Sequence, residues 1–105
     1  MDSDLSKLGR YTDVSVLILL SLASGPKHGY AMMEDILQFS GTHLEPGTLY
    51  GALIRVERKG WITTLPEEDR RRPYQITEAG REVLRQQIAT LQHITAVGTI
   101  RLARG

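Results

Sequence analysis

The chain has 105 residues, a formal net charge of +1 and no cysteine. Its length fits one compact domain, and the lack of cysteine excludes disulfides and thiolate metal sites. With 41% hydrophobic and 24% charged residues, the composition is that of an ordinary globular protein with a real core. A net charge so close to zero gives little support for a nucleic-acid partner. Evidence for a nucleic-acid partner must therefore come from where the charges lie along the sequence.

The longest apolar run, residues 14–23, is interrupted by Ser15 and Ser21. It is about half the roughly 20 residues that cross a bilayer, so it predicts a buried helix and no membrane partner. Asp2 and Asp4 stand where a secretory signal carries basic residues. We therefore expect a cytoplasmic protein.

Three helices are predicted in the first part of the chain, over residues 12–24, 28–40 and 46–59. Their boundary signals are Thr12 or Asp13 as the first N-cap, Gly25 and Pro26 as the first stop, Gly41 and Gly60 as later stops, and Pro46 at the first position of the third helix. The apolar face predicted for the second helix follows three- and four-residue spacings through Tyr30, Met33, Ile36, Leu37 and Ser40.

The period then changes to that of strands. Residues 61–65 and 74–77 are rich in β-branched and aromatic side chains, and residues 67–72 between them are three acids followed by three arginines. This pattern predicts a β-hairpin with a projecting wing, and a helical period returns from residue 78. The predicted fold is mainly α with a small β-hairpin, a winged helix-turn-helix followed by a long C-terminal helix. We expect one domain over residues 1–105, with the winged helix-turn-helix at 12–77 and a dimerisation helix at 78–104.

The third helix has two different sides. Leu49, Leu53 and Val56 lie along one side, extended by Tyr50 and Ile54, and this side should pack on the first two helices. The other side carries Thr48, Gly51, Arg55, Arg58 and Lys59. A side that is small near the helix start and cationic further on suits a DNA major groove. A merely solvated charged face is an equally good interpretation of the three cations.

The wing adds a second group of cations. Arg71 and Arg72 are candidates for contact with the DNA backbone or the minor groove, and no role is assigned to Arg70. The alternative is that Glu67, Glu68 and Asp69 pair with these arginines.

Several segments together resemble the PadR family of transcriptional regulators, over about residues 12–91. They are Gly29–Tyr30, PGTLYGAL at 46–53, ERKGWI at 57–62 and RRPYQITEAG at 71–80. The resemblance implies a winged-helix repressor in which Tyr30, Thr48, Tyr50, Arg71 and Arg72 approach double-stranded operator DNA. Together with Arg55 and Lys59 these form the predicted DNA-binding set. Two alternatives stay open: both tyrosines are core rings, and Thr48 is only a hydrogen-bonding residue of the first turn. Larger family members carry a further C-terminal helical domain, so we expect a short member.

The predicted C-terminal helix has an apolar seam. Its residues recur at alternating four- and three-residue spacings as Leu84, Ile88, Leu91, Thr95, Gly98 and Leu102. Packing against a second copy of the chain is the simplest way to bury this seam and the apolar residues beside it. The predicted dimerisation residues are therefore Leu84, Ile88, Leu91 and Ile94. The alternative is that the seam folds back on the first helix of its own chain.

No catalytic apparatus is visible. His28, His43 and His93 are far apart and match no metal-ligand spacing, and neither a nucleophile elbow nor a phosphate-binding loop is present. We expect no enzyme, metal or cofactor, and interpret the histidines as surface or capping residues, with His28 a candidate for a position near phosphate. The rival function is a winged helix that docks on protein without binding DNA. A small hydrophobic effector is a further candidate partner, in a site lined by aliphatic residues of the first and fourth helices.

Overall fold

The computed structural model describes residues 13–105, so the candidate cap Thr12 lies outside the described residues. Its elements follow one another as four helices and one hairpin: α1 (Val14–Ala23), α2 (Gly29–Ser40), α3 (Pro46–Arg58), β1 (Ile62–Thr64), β2 (Tyr74–Ile76) and α4 (Glu78–Arg104). The predicted fold class is confirmed.

The helices begin and end where short-range signals place them. The Asp13 carboxylate accepts a hydrogen bond from the Val16 amide at 3.3 Å and caps α1. Gly41 ends α2 with φ of 74°, a left-handed conformation that suits glycine. Pro46 occupies the first turn of α3, where its missing N–H has no partner to lose. Helix length is thus encoded locally.

The core is built around α1, which contacts α2, α3, β2 and α4. Nearly every side of α1 is apolar and buried, as a helix surrounded by other elements requires. The buried apolar residues of α1 are Val16, Leu17, Ile18, Leu19 and Leu22, and they meet Met32, Ile36, Leu44, Leu49, Ala52, Leu53, Val56, Ile62, Ile76 and Leu84. Among residues 13–105, no helix combines the length and apolarity needed to span a membrane.

One polar network fixes α2 against α1. Ser21 is fully buried and its hydroxyl donates to Asp35 Oδ2 at 2.7 Å. Lys27 Nζ donates to the Ser21 carbonyl and to Ser24 Oγ. Because the buried hydroxyl has a partner, it carries no desolvation penalty, and the turn between α1 and α2 is held in place.

The hairpin is antiparallel, with Ile62 opposite Ile76 and Thr64 opposite Tyr74. Lys27 adds a third backbone segment to this small sheet, since its amide donates to the Tyr74 carbonyl at 3.1 Å and its carbonyl accepts from the Tyr74 amide at 2.9 Å. The start of α2 is therefore fixed directly to the base of the wing.

The packing faces predicted for α2 and α3 are only partly confirmed. In α2, Ile36 is buried as predicted, but the other buried residues are Gly29 and Met32, while Leu37 is exposed. In α3, Leu49, Leu53 and Val56 are buried as predicted and Ala52 joins them. Ile54 is 54% exposed instead of packing on α1 and α2.

Helix α4 extends well beyond the body of the protein. Its 27 residues correspond to a length of about 40 Å, yet only Gly80 and Leu84 are buried. Leu84 belongs to the core of its own chain, so this predicted dimerisation residue is already covered. Ile88 and Ile94 are exposed, so the uncovered part of the seam begins at Ile88.

Candidate nucleic-acid interface

The outward flank of α3 is polar and exposed. Thr48, Tyr50, Arg55 and Arg58 all lie on the surface, because the buried stripe turns the rest of the helix away from the core. An ideal Cβ built on Gly51 would lie 3.8 Å from Arg55 Nη1. The Arg55 guanidinium therefore folds back over Gly51 toward the start of α3.

A cleft of about 320 Å³ separates the start of α2 from the wing. We call it the cationic cleft; it is lined by His28, Gly29, Tyr30, Tyr50, Arg70, Arg71, Arg72 and Tyr74. Its lining contains three arginines and three phenols but no carboxylate. Such a surface offers many hydrogen-bond donors and positive charge to an anion.

The tyrosines of the cleft are surface residues. Tyr30 is 61% exposed and Tyr50 is 44% exposed, which rejects the alternative that they are core rings. The Tyr30 hydroxyl donates to Glu34 Oε2 at 3.1 Å, and this hydrogen bond to a carboxylate raises the pKa of Tyr30. Desolvation raises the pKa of Tyr74. Both phenols therefore stay neutral donors at physiological pH.

Gly29 and Tyr50 are in close contact where α2 meets α3. A Cβ built on Gly29 would overlap the Tyr50 hydroxyl and ring. Glycine at this position is therefore what lets the Tyr50 ring lie across the start of α2, and Tyr50 joins the α3 flank to the cationic cleft.

His28 and Arg71 meet at the edge of the cleft. His28 is the N-cap of α2, and its Nδ1 accepts from the Ala31 amide at 3.4 Å. Its other ring nitrogen, Nε2, lies 3.2 Å from Arg71 Nη1. A capping histidine is thus in contact with a wing arginine that is 43 positions away in sequence.

The wing closes in a two-residue turn. Glu68 and Arg71 exchange backbone hydrogen bonds of 2.7 and 2.8 Å, and Asp69 and Arg70 between them have φ of 49° and 65°. Aspartate tolerates this left-handed region, whereas for Arg70 it costs about 1–2 kcal/mol. Within residues 13–105, no ion pair joins the wing acids to the wing arginines, so the predicted alternative of mutual pairing does not hold in this part of the chain.

Comparison with known proteins identifies the family. The model of the transcriptional regulator PadR-like family matches residues 18–86. The chain belongs to the PadR family. This is a family of transcriptional regulators.

Solved structures are similar to this chain. A PadR family transcription regulator from Clostridium difficile has 26% identity and a TM-score of 0.77, over 85% of this chain and 97% of that one. A transcriptional regulator from Clostridium thermocellum has 28% identity and a TM-score of 0.72, over 80% and 87%. The putative regulator TA0346 from Thermoplasma acidophilum, 22% identical with a TM-score of 0.70 over 99% and 97%, shares the fold.

A curated relative is much longer than this chain. It is an uncharacterized 37.1 kDa protein in the transposon TN4556 of Streptomyces fradiae, 44% identical over 86 residues. The match covers 82% of this chain and 25% of that protein. The PadR-family chain therefore spans about a quarter of the length of this relative.

The structure brings together four of the seven predicted DNA-binding residues. Tyr30, Tyr50, Arg71 and Arg72 line the cationic cleft, while Thr48 and Arg55 lie on the α3 flank. Lys59 is the exception, because its ammonium lies 4.8 Å from the centroid of the Trp61 ring. A cation over an aromatic face is attracted to it, and this contact holds Lys59 at a separate cavity between α1 and α4.

Gly29, Arg70 and Tyr74 also line the cleft but were not in the predicted DNA-binding set. Tyr74 lies two residues before the buried Ile76, on the same face of β2, and this period of two assigns it to packing. It is half-buried, and its exposed part faces the cleft. Residues 13–105 contain no group of three or more His, Cys, Asp or Glu side chains placed to hold a metal ion.

Proposed function

We propose that this PadR-family protein represses transcription by binding operator DNA as a homodimer. The observation that carries the proposal is the continuity of two surfaces. Tyr50 belongs both to the outward flank of α3 and to the cationic cleft. Groove-reading residues and phosphate-binding cations therefore lie side by side.

Each surface has a distinct role in binding. The start of α3 presents Thr48 and Gly51, whose small size lets the helix backbone approach base edges in the major groove, and the Tyr50 ring lies beside them. Arg71 and Arg72 on the wing contact phosphates and fix the register of the protein on the duplex without reading sequence. Arg55, directed along α3, reaches toward the same groove.

The exposed seam of α4 supports the homodimer. Ile88, Ile94 and Leu102 are exposed apolar residues on a helix that leaves the body of its own chain. A second α4 would cover them, and a twofold dimer would present two copies of α3 to a pseudo-palindromic site. In this arrangement residues 12–77 read the DNA and residues 78–104 join the two subunits.

Repression and effector control complete the proposal. Repression is the outcome that the PadR resemblance implies. The effector is a small hydrophobic molecule bound between α1 and α4. A cavity of about 180 Å³ there is lined by Val16, Leu19, Val83 and Trp61, and by the polar residues Asp13, Ser15, Lys59 and Gln87. Lys59 lies over the Trp61 ring, so the aliphatic residues predicted from sequence form the apolar part of the site.

The test is a fluorescence-anisotropy titration of the protein against genomic fragments at several salt concentrations, with hydrophobic ligands added to the bound complex. We expect sequence-preferring binding that weakens steeply with salt, because each phosphate contact releases counterions. Replacing Arg71 and Arg72 with alanine should weaken binding to all sequences and reduce the salt slope by about two. Thr48→Ala should instead change which sequence is preferred.

The rival protein-docking function gives a different result. If the wild-type protein binds no duplex even at low salt, the DNA-binding proposal is overturned. If it binds but the arginine variant keeps the full salt slope, the assignment of the wing is overturned while DNA binding stands.

A further inference from the structure

The contact between His28 and Arg71 contains a conflict of hydrogen-bond donors. A neutral imidazole has one N–H and one bare nitrogen. In the tautomer in which His28 Nδ1 accepts from the Ala31 amide and caps α2, Nδ1 is the bare nitrogen and Nε2 carries the hydrogen. Arginine has donors only. Two donors therefore face each other across the 3.2 Å between His28 Nε2 and Arg71 Nη1.

An acceptor that both groups can reach would resolve this conflict. The histidine cannot turn its bare nitrogen toward the arginine without leaving the Ala31 amide uncapped at the start of α2. An oxygen between the two donors would accept from both at once. Oxygens of an anion suit the position best, since donors of charged groups bind anionic oxygens about twice as strongly as neutral ones.

The surroundings select a phosphate group. The cationic cleft on one side of this pair contributes Arg70, Arg72 and the hydroxyls of Tyr50 and Tyr74, and no carboxylate lines it. The nearest carboxylate, Glu34, already accepts from the Tyr30 hydroxyl. Glu68 and Asp69 lie on the other side, in a separate cavity next to the same pair. An anion is therefore drawn to the side that continues into the α3 flank, where the phosphodiester backbone of bound DNA would run.

We propose that His28 Nε2 and Arg71 together clamp one phosphodiester group of each DNA half-site. This inference rests on the proposed function and deepens it, because it assigns a DNA contact to a residue that also caps α2. The two roles of His28 are linked: capping by Nδ1 fixes the tautomer that makes Nε2 a donor.

Two substitutions separate these roles. In His28→Asn the side-chain oxygen remains a good N-cap, but no donor reaches the position of Nε2. In His28→Gln the longer side chain carries an amide donor toward that position and the cap is weakened. His93→Asn on the exposed surface of α4 is the matched control for removing an imidazole.

The experiment measures binding to a short duplex from a bound genomic fragment, at mildly alkaline pH and several salt concentrations. We expect His28→Asn to retain the wild-type melting temperature and to lose about tenfold in affinity on every sequence. Its salt slope should not change, because a neutral imidazole displaces no counterion, whereas Arg71→Ala should lower the slope by about one. His28→Gln should bind more tightly than His28→Asn despite a lower melting temperature.

The decisive measurement uses duplexes in which single phosphates are replaced by methylphosphonates. One position per half-site should weaken wild-type binding about tenfold. The same replacement should weaken His28→Asn clearly less, because this variant keeps only the Arg71 contact to that phosphate. If His28→Asn binds as tightly as wild type, or loses equally at every neutralised phosphate, the clamp is overturned while DNA binding stands. If the wild-type protein binds no duplex, both the clamp and the proposed function are overturned.

Discussion

At the scale of single residues, Gly29 shows how a backbone position can decide where a functional side chain lies. Gly29 is buried in the first turn of α2, and its φ is not in the left-handed region. Alanine would therefore be accepted by the backbone and would even favour the helix by about 0.5–1 kcal/mol. The obstacle is the Tyr50 ring, which occupies the space of the missing methyl group.

We predict that Gly29→Ala lowers the free energy of unfolding by about 1–3 kcal/mol, the usual cost of overpacking. In the background of Tyr50→Ala, the same change should be neutral or stabilising, because the obstructing ring is gone. Urea unfolding of the four proteins of this double-mutant cycle measures the coupling. Equal costs of Gly29→Ala in the two backgrounds would show that the Tyr50 ring is not what requires glycine.

At the scale of secondary-structure elements, Thr77 lies between β2 and α4 and also bonds to the turn after α3. Its hydroxyl accepts from the Gly80 amide at 3.1 Å and caps α4. The same hydroxyl donates to the Gly60 carbonyl at 2.6 Å, in the turn between α3 and β1. The first turn of α4 is therefore attached to the turn at the end of α3.

We predict that Thr77→Ala lowers the free energy of unfolding by about 1–2 kcal/mol, because both the cap and the bond to Gly60 are lost. Thr77→Ser keeps the hydroxyl and should lower the free energy of unfolding by only about a few tenths of a kcal/mol. Thr99→Ala is the control, since the Thr99 hydroxyl bonds only to an exposed carbonyl of its own helix. Chemical denaturation checks all three, and a Thr77→Ala protein as stable as Thr99→Ala would contradict the role of Thr77.

Element order and helix boundaries were predictable because their signals are local. Pro46, Gly41 and Gly60 mark positions whose backbone geometry depends on one or two neighbours, and the structure confirms them within a residue or two. The buried face of α2 was not predictable in the same way. Spacings of three and four fit Tyr30, Met33 and Leu37 as well as Gly29, Met32 and Ile36, and hydropathy does not indicate that a glycine is the buried member.

The exposed cations of the candidate site were predictable from the sequence, but their arrangement was not. Arg55, Arg71 and Arg72 follow from the helical period and from the composition of the hairpin loop. Tyr30 and Tyr50 entered the predicted set through the family resemblance, since helical spacing had placed both on apolar faces. The contact of His28 with Arg71 and the pairing of Lys27 with Tyr74 join distant positions through tertiary packing. A contact between two single residues does not repeat along the chain, so no periodic sequence pattern predicts it.

At the scale of the whole molecule, the proposed dimer depends on α4, which would bring a second copy of α3 to the DNA. The longest dimension of the described structure is 54 Å. Much of this length is α4, whose apolar seam is uncovered. Leu84 anchors this helix in its own core. Residues from Ile88 onward are therefore free to pack on a second copy, and the proposed dimer is defined by the part of α4 that its own chain leaves uncovered.

We predict that Ile88→Asp converts a dimer at micromolar concentration into a monomer, because a twofold seam would bury two uncompensated carboxylates. His93→Asp places the same charge on the opposite side of α4 and should leave the dimer intact. Sedimentation equilibrium measures the mass, and circular dichroism checks that both variants keep their helices. On a duplex with two half-sites Ile88→Asp should bind far more weakly than wild type, whereas on a single half-site the two should be equal, since only the linkage between subunits is lost. A monomeric wild-type protein, or an Ile88→Asp protein that remains a dimer, would show that α4 does not join the subunits through this seam.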